Sequence, residues 1–266
     1  MIRQILQQRN LPLIPTLAPD QWQALRQQYT EILCREEYGT PLPPPTELSF
    51  EERVEYPNAK NFCAGEAEIK TVIASGKVCG KPFSFPFTAV IPRVGESIPF
   101  FVHCNFEAQI PNKYSPTEEI VNRGFALLSV CYKDVTSDDG DFTNGLAGTV
   151  TPDPDNRAPD APGKIAMWAW ANMRLMDYAM TKSRLDPTRA AVIGHSRLGK
   201  TALVTGMLDD RFQYVISNDS GCSGAAITRG KVGEQISDIT KNFPFWFCEN
   251  YKKYTDHPPS PLTSIC

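Results

Sequence analysis

The sequence predicts an α/β protein: a three-layer sandwich around a mostly parallel sheet, with antiparallel strands on its N-terminal side. Three observations predict it. From residue 94 onward, apolar strand-like runs alternate with helix-like runs, as the strand–helix–strand units of a parallel sheet require. Before that point apolar and polar residues alternate around glycine turns, the pattern of half-exposed antiparallel strands. Between residues 190 and 203, "AAVIGHSRLGKTAL" carries a serine from an apolar strand into a helix across a turn flanked by glycines.

The elements follow in order. "APDQWQALRQQYTEILCREEYG" (18–39) reads as an amphipathic helix, capped by Asp20, with Trp22, Leu25, Tyr29, Ile32 and Leu33 at helical spacing and Gly39 as the stop. "TPLPPPTEL" is a rigid proline-rich connector, so residues 1–48 read as a helical extension and 49–266 as the main domain. "EAEIKTVIASGK" and "FSFPFTAVIP" are antiparallel strands. "IPFFVHCNF" (98–106) and "FALLSVCY" (125–132) are continuous apolar runs, as strands buried on both faces should be. Between them "SPTEEIVNRG" (115–124) is a short helix with Ser115 as cap, Pro116 at its first position and Gly124 at its end. Residues 137–163 form a long polar loop, 164–182 a helix on which Trp168 and Trp170 look like packing residues, 190–194 a strand, 198–208 a helix and 214–219 a strand. One further helical stretch covers 232–254.

Composition narrows the function. The chain has 266 residues, 41% of them hydrophobic, and a net charge of −3. That suits one sizeable core and gives no electrostatic reason to expect nucleic acid or an anionic membrane as partner. No apolar run approaches the ~20 residues of a membrane helix. "MIRQILQQRNLPLIP" lacks the apolar segment and cleavage site of a signal peptide, so the chain as written is expected in the cytoplasm. Eight cysteines show neither metal-ligand spacing nor the density of a stapled domain, and read as mostly buried free thiols; a Cys63–Cys79 bridge is the one pairing left open.

The serine carries the chemistry. Gly194-His195-Ser196-Arg197-Leu198-Gly199 reads as the Gly-x-Ser-x-Gly nucleophile elbow of α/β-hydrolases. The turn is so tight that a side chain on a flanking glycine would collide with its neighbours. It presents the serine Oγ beyond the carboxyl end of the strand. The Arg197 N–H then lies at a helix N-terminus, where a developing oxyanion is stabilised.

"GHSRLGK", followed by "SNDSGCSGAA" and "GEQISDITKNFPFWF", resembles the bacterial branch of the glucuronoyl esterases, carbohydrate esterase family 15. So do "PNKYSPTEEIVNRGFALLSVCY" and "AWANMRLMDYAMTKSRLDPTRAAVIGHSRLGK", and the likeness runs from about 98 to 260. It implies an α/β-hydrolase-like fold. It implies a monomeric enzyme without metal or cofactor, cleaving esters of the (4-O-methyl)glucuronic acid groups of plant cell-wall xylan. Family members usually act in the periplasm or outside the cell. By the same resemblance Ser196 is the nucleophile and Arg197 adds its guanidinium to the oxyanion hole. Lys200 and Glu234 contact sugar hydroxyls, Trp246 offers a sugar platform, and Asp219 is the acid that orients a histidine. Each has a plainer reading from the residues alone: Lys200 as a solvated charge, Glu234 as a first-turn carboxylate, Asp219 as a turn cap, Trp246 as core. Acetylxylan esterase is the near alternative within the class, and a non-catalytic carbohydrate-binding remnant the alternative outside it.

The histidine is the difficulty. His195 precedes the nucleophile and should point away from Oγ; His103 lies upstream, against the chain order serine–acid–histidine; His257 sits in a proline-flanked tail. Where family members continue into a segment resembling Pro-Phe-Asp-Gln-His-Leu, this chain reads Pro261 to Cys266 as "PLTSIC". Deleting one base from codons for the former yields the latter. The expectation is therefore a chain shifted in frame after Pro261, with the last strands and the catalytic histidine missing. One sheet edge would be uncovered, and solubility and turnover would be low.

Overall fold

The computed structural model describes residues 18–54, 62–226 and 233–255. Strands β1 (Thr46–Val54), β2 (Ala67–Val78) and β3 (Lys81–Pro92) pair antiparallel in succession. β3 pairs antiparallel with β5 (Ala126–Cys131), and from there β5, β4 (Ile98–Asn105), β6 (Leu185–His195) and β7 (Tyr214–Asn218) run parallel. The seven strands form one sheet in the order β1-β2-β3-β5-β4-β6-β7. The predicted antiparallel start and parallel remainder are both present.

Strand periodicity separates two cores. Phe100, Val102, Leu128, Val130, Ala190 and Val192 face the larger one, beneath helices α5 (Lys164–Met180) and α6 (Arg197–Leu208). Alternate residues, Leu127 and Val90 among them with Phe101 packed against them, face a smaller cluster that includes Val121 of α2 (Thr117–Asn122). This gives the three layers. Trp168 and Trp170 of α5 are buried, as packing residues should be, and their indole N–H groups donate to the Thr136 and Pro43 carbonyls. Among the described residues β7 is the outer strand on the parallel side, and Tyr214, Val215 and Ile216 are 61%, 39% and 40% exposed on it.

Several boundaries differ from the sequence reading. The first helix, α1, spans Pro19–Leu33 with Ala18 at its cap position, so Asp20 lies inside the first turn. The chain then widens into a π-helical turn, Cys34–Tyr38, before Gly39 stops it at φ 96. A Cβ at Gly39 would lie 2.4 Å from Pro162 Cα. α2 starts at Thr117, because the Ser115 N–H and C=O are engaged in a turn with Asn112. The polar loop contains a short helix, α4 (Gly145–Val150), and α3 (Tyr132–Val135) continues directly from β5. The last helical stretch is divided into α7 (Ile236–Asn242) and two 3-10 turns, Pro244–Trp246 and Glu249–Tyr254. Cys63 and Cys79 are free thiols, like the other described cysteines. No helix among the described residues is long and apolar enough to cross a membrane.

The segment before the sheet is tied to the segment after it. Tyr38 OH donates to the Ser223 carbonyl at 2.8 Å, Cys248 N–H to the Glu37 carbonyl at 2.8 Å, and Asn250 Nδ2 to the Arg35 carbonyl at 2.9 Å. Residues 35–38 are thereby bound to segments that follow β7.

Candidate active site

The site stands where β6 turns into α6. Ser196 sits at φ 56 and ψ −124, a left-handed strain that persists because its surroundings fix it. Its N–H donates to the Asn218 carbonyl at 2.9 Å, and its carbonyl accepts from Gly199 N–H at 2.8 Å. The predicted glycine collision is real at Gly194: a Cβ there would lie 2.0 Å from the Leu198 carbonyl oxygen. The second position needs a correction. Two residues after the serine stands Leu198, wholly buried, where Gly-x-Ser-x-Gly has glycine. Gly199 is one step further, and a Cβ on it would lie 2.9 Å from Asn218 O of β7. The glycine here serves helix-to-strand packing, while Leu198 fills the core. Arg197 N–H, first in α6, has no acceptor within the helix and faces the end where anions are favoured.

The structure brings four of the expected residues together: Ser196, Arg197, Lys200 and Trp246. The Arg197 guanidinium lies 4.7 Å from the centre of the Trp246 ring, 5.6 Å from Phe243 and 5.8 Å from Phe106. Phe243 and Trp246 stack at 3.9 Å. Lys200 is buried; its Nζ donates to the Ser220 carbonyl at 2.5 Å and lies 5.7 Å from the Trp246 ring. Burial lowers the Lys200 pKa, and Glu234 opposes that most strongly. Glu234 itself is exposed. Trp246 is buried and its indole N–H is already donated, 2.7 Å to Asp138 Oδ1. Asp219 is exposed, one residue beyond β7 at φ 48.

The histidines are placed as follows. His195 stacks on Tyr114 at 5.7 Å, with Nδ1 3.0 Å from Asn218 Nδ2. His103 is buried inside β4, and burial pushes its pKa down to about 4, so it is neutral. His257 lies outside the described residues, as does the expected change after Pro261. Among the described residues no group of His, Cys, Asp and Glu is arranged to hold a metal ion.

Sequence reasoning missed Asp138 and Glu37. Asp138 accepts from Arg197, Trp246 and Tyr132, and no local pattern distinguishes it from its loop neighbours. Glu37 is wholly buried in the π-helical turn, and burial pushes its pKa up to about 7, partly opposed by a bond from Tyr38 and by the charge of Lys200. A glutamate beside a helix end gives no sequence signal of burial.

Residues 157–262 match the family described as "Glucuronyl esterase, fungi". Over 141 residues, 52% of this chain and 32% of its own length, "Carbohydrate esterase MZ0003" from an unknown prokaryotic organism is 38% identical. Over 105 residues, 35% of this chain and 26% of its own length, the 4-O-methyl-glucuronoyl methylesterase of Neurospora crassa is 38% identical. Among solved structures, the glucuronoyl esterase from Solibacter usitatus superposes with a TM-score of 0.78 at 25% identity, over 96% of this chain and 76% of its own. The chain thus spans about a third or less of the curated relatives it matches.

Proposed function

We propose that the chain is a member of the glucuronoyl esterase family, carbohydrate esterase family 15, and that its site is built to cleave (4-O-methyl)glucuronoyl esters of plant cell-wall xylan. One observation carries the proposal. The strained Ser196 and the Arg197 cation, held against Trp246, share one turn at the carboxyl end of β6.

In this reading Ser196 Oγ attacks the ester carbonyl. The carbonyl oxygen becomes an oxyanion beside the Arg197 N–H and guanidinium, a fixed positive field that needs no reorganisation as charge develops. Collapse releases the alcohol and leaves an acyl-enzyme, which water hydrolyses to free uronate. Lys200 and Glu234 bind sugar hydroxyls, and Trp246 bounds the sugar. The Ser196 proton passes through water to the departing alkoxide, which leaves as the alcohol, because His103 is buried within β4 and His195 Nδ1 is engaged with Asn218. The charged groups Arg197, Lys200 and Glu234 favour benzyl glucuronate over acetylated xylan. The test is turnover of both by wild type and Ser196→Ala: activity on the acetyl substrate alone overturns the uronate assignment, and activity surviving Ser196→Ala overturns the nucleophile.

The position of the two described histidines favours a second reading, a glucuronate-binding chain that does not turn over. Equal glucuronate affinity in wild type and Ser196→Ala, with no hydrolysis in either, supports it over the first.

A further inference from the structure

Arg197 reaches the site on a long side chain, and a charge that stabilises an oxyanion must be fixed before the reaction begins. What fixes it is a carboxylate from the polar loop. Asp138 Oδ2 accepts from Arg197 Nη1 and, at 3.0 Å, from Tyr132 OH. Its Oδ1 accepts from Trp246 Nε1 at 2.7 Å. The three donors arrive from three parts of the chain: the start of α3, the start of α6 and the 3-10 turn at Pro244–Trp246. The Asp138 side chain is 7% exposed, so these bonds form where water competes little.

The loop that presents Asp138 is itself anchored. Lys164, wholly buried at the start of α5, has three ammonium protons and three acceptors. These are Thr136 Oγ1 at 3.0 Å, Ser137 Oγ at 3.3 Å and the Asp141 carbonyl at 2.6 Å, on both sides of Asp138. Asn144 Nδ2 adds a bond to Ser137 Oγ at 2.8 Å. On the guanidinium, Nη1 is committed to Asp138, whereas the buried Nε has no partner among the described residues. A buried N–H without an acceptor is costly, and an oxygen that supplies one gains the difference.

We propose that Asp138 is the positioning residue of the oxyanion arginine: it holds the Arg197 guanidinium and the Trp246 indole in one orientation, coupling the oxyanion donor to the sugar-bounding ring. This rests on the esterase reading above. Asp138 touches no reacting atom and acts through Arg197. Its isosteric replacement, Asp138→Asn, keeps an acceptor for Trp246 and turns an amide N–H toward Arg197, releasing the guanidinium without opening a cavity.

The test is a double-mutant cycle of Asp138→Asn and Arg197→Ala on benzyl glucuronate hydrolysis, with thermal unfolding of each variant. Asp138→Asn is expected to lower kcat by about 10- to 100-fold with KM within about threefold. The double variant is expected within about twofold of Arg197→Ala alone, because the two residues act as one unit. Multiplicative losses, or an unchanged kcat in Asp138→Asn, overturn the positioning role alone. If Asp138→Asn does not fold, Tyr132→Phe, which removes one bond to Asp138, takes its place under the same criterion. A wild type that binds glucuronate without turnover moves the cycle to the dissociation constant, where coupling supports the role and additivity overturns it. A wild type that neither binds nor hydrolyses overturns the esterase reading and the positioning role together.

Discussion

Adding one methyl group at Gly194 tests whether the turn beneath Ser196 is as tight as its geometry requires. A Cβ there would lie 2.0 Å from the Leu198 carbonyl oxygen, 2.4 Å from its carbon and 3.0 Å from Gly199 N. All three are backbone atoms, so no side chain can rotate away. Ordinary contact begins near 3.4 Å, so the first turn of α6 must retreat by more than about 1 Å. Forcing a methyl into close-packed structure costs about 1–3 kcal/mol, and rigid backbone on the receiving side puts Gly194→Ala at the upper end. For a chain of this size that lowers Tm by roughly 6–10 °C. Ser196 and the Arg197 N–H both ride on the displaced turn, and a misplacement of about 1 Å costs on the order of 100-fold in rate. Gly140→Ala is the control, since nothing lies within 4 Å of a Cβ there, and it should leave Tm unchanged or slightly raised. The assay is thermal unfolding with benzyl glucuronate turnover. A Gly194→Ala protein with the Tm and rate of Gly140→Ala would refute the reasoning.

Trp168→Ala should cost about 3–5 kcal/mol in denaturant unfolding, since the ring is wholly buried against Tyr132 and its N–H holds the Thr136 carbonyl; a loss under 1 kcal/mol would show that the loop is held without it. Glu37→Gln should change the pH dependence of stability. Burial first, against the Tyr38 bond and Lys200, raises the folded pKa from the usual 4.5 to about 7. The folded state therefore holds this proton more tightly than the unfolded chain. The stability gained from that proton is complete below about pH 4.5 and is lost as pH rises to about 7, by roughly 3 kcal/mol. The glutamine variant should lack that slope, and parallel pH profiles would disprove the burial assignment. Ile216→Lys, 40% exposed on the outer strand, should raise the soluble fraction while changing unfolding free energy by no more than about 0.5 kcal/mol; an unchanged yield with lost stability would mean that this face is packed.

The parallel strands were legible because burial on both faces writes itself as continuous apolar runs, as in "FALLSVC", and the antiparallel ones because period two survives in "EIKTVIAS". Boundaries were legible only where a local signal coincided with a tertiary one. Gly39 stops the first helix because the approach of Pro162 leaves no space for a Cβ. Nothing local announces that the preceding five residues widen into a π-helical turn. Ser115 looked like a helix cap because serine followed by proline usually is one. Here Asn112 captures its backbone first, a bond within a turn that outranks the propensity.

The site divides along the same line. Ser196, Arg197 and Lys200 are close in sequence, so a motif can carry them. Asp138 is 59 residues from Arg197 and 108 from Trp246, and the sequence offers three aspartates in "SDDGDFTNG" with nothing to choose between them. The fold chooses by what each is left to do. Asp139 accepts from Ser137 Oγ and Asp141 from Thr143, the ordinary local bonds of a polar loop. Asp138 has no such local donor, and both its oxygens meet groups brought from α3, α6 and the Pro244–Trp246 turn. A carboxylate freed from local bonding and buried at 7% exposure must be met by cations or N–H groups. Arg197 is the cation that meets it. The carboxylate that holds Arg197 is thus recognisable only once the sheet has set the ends of β5 and β6 on either side of β4.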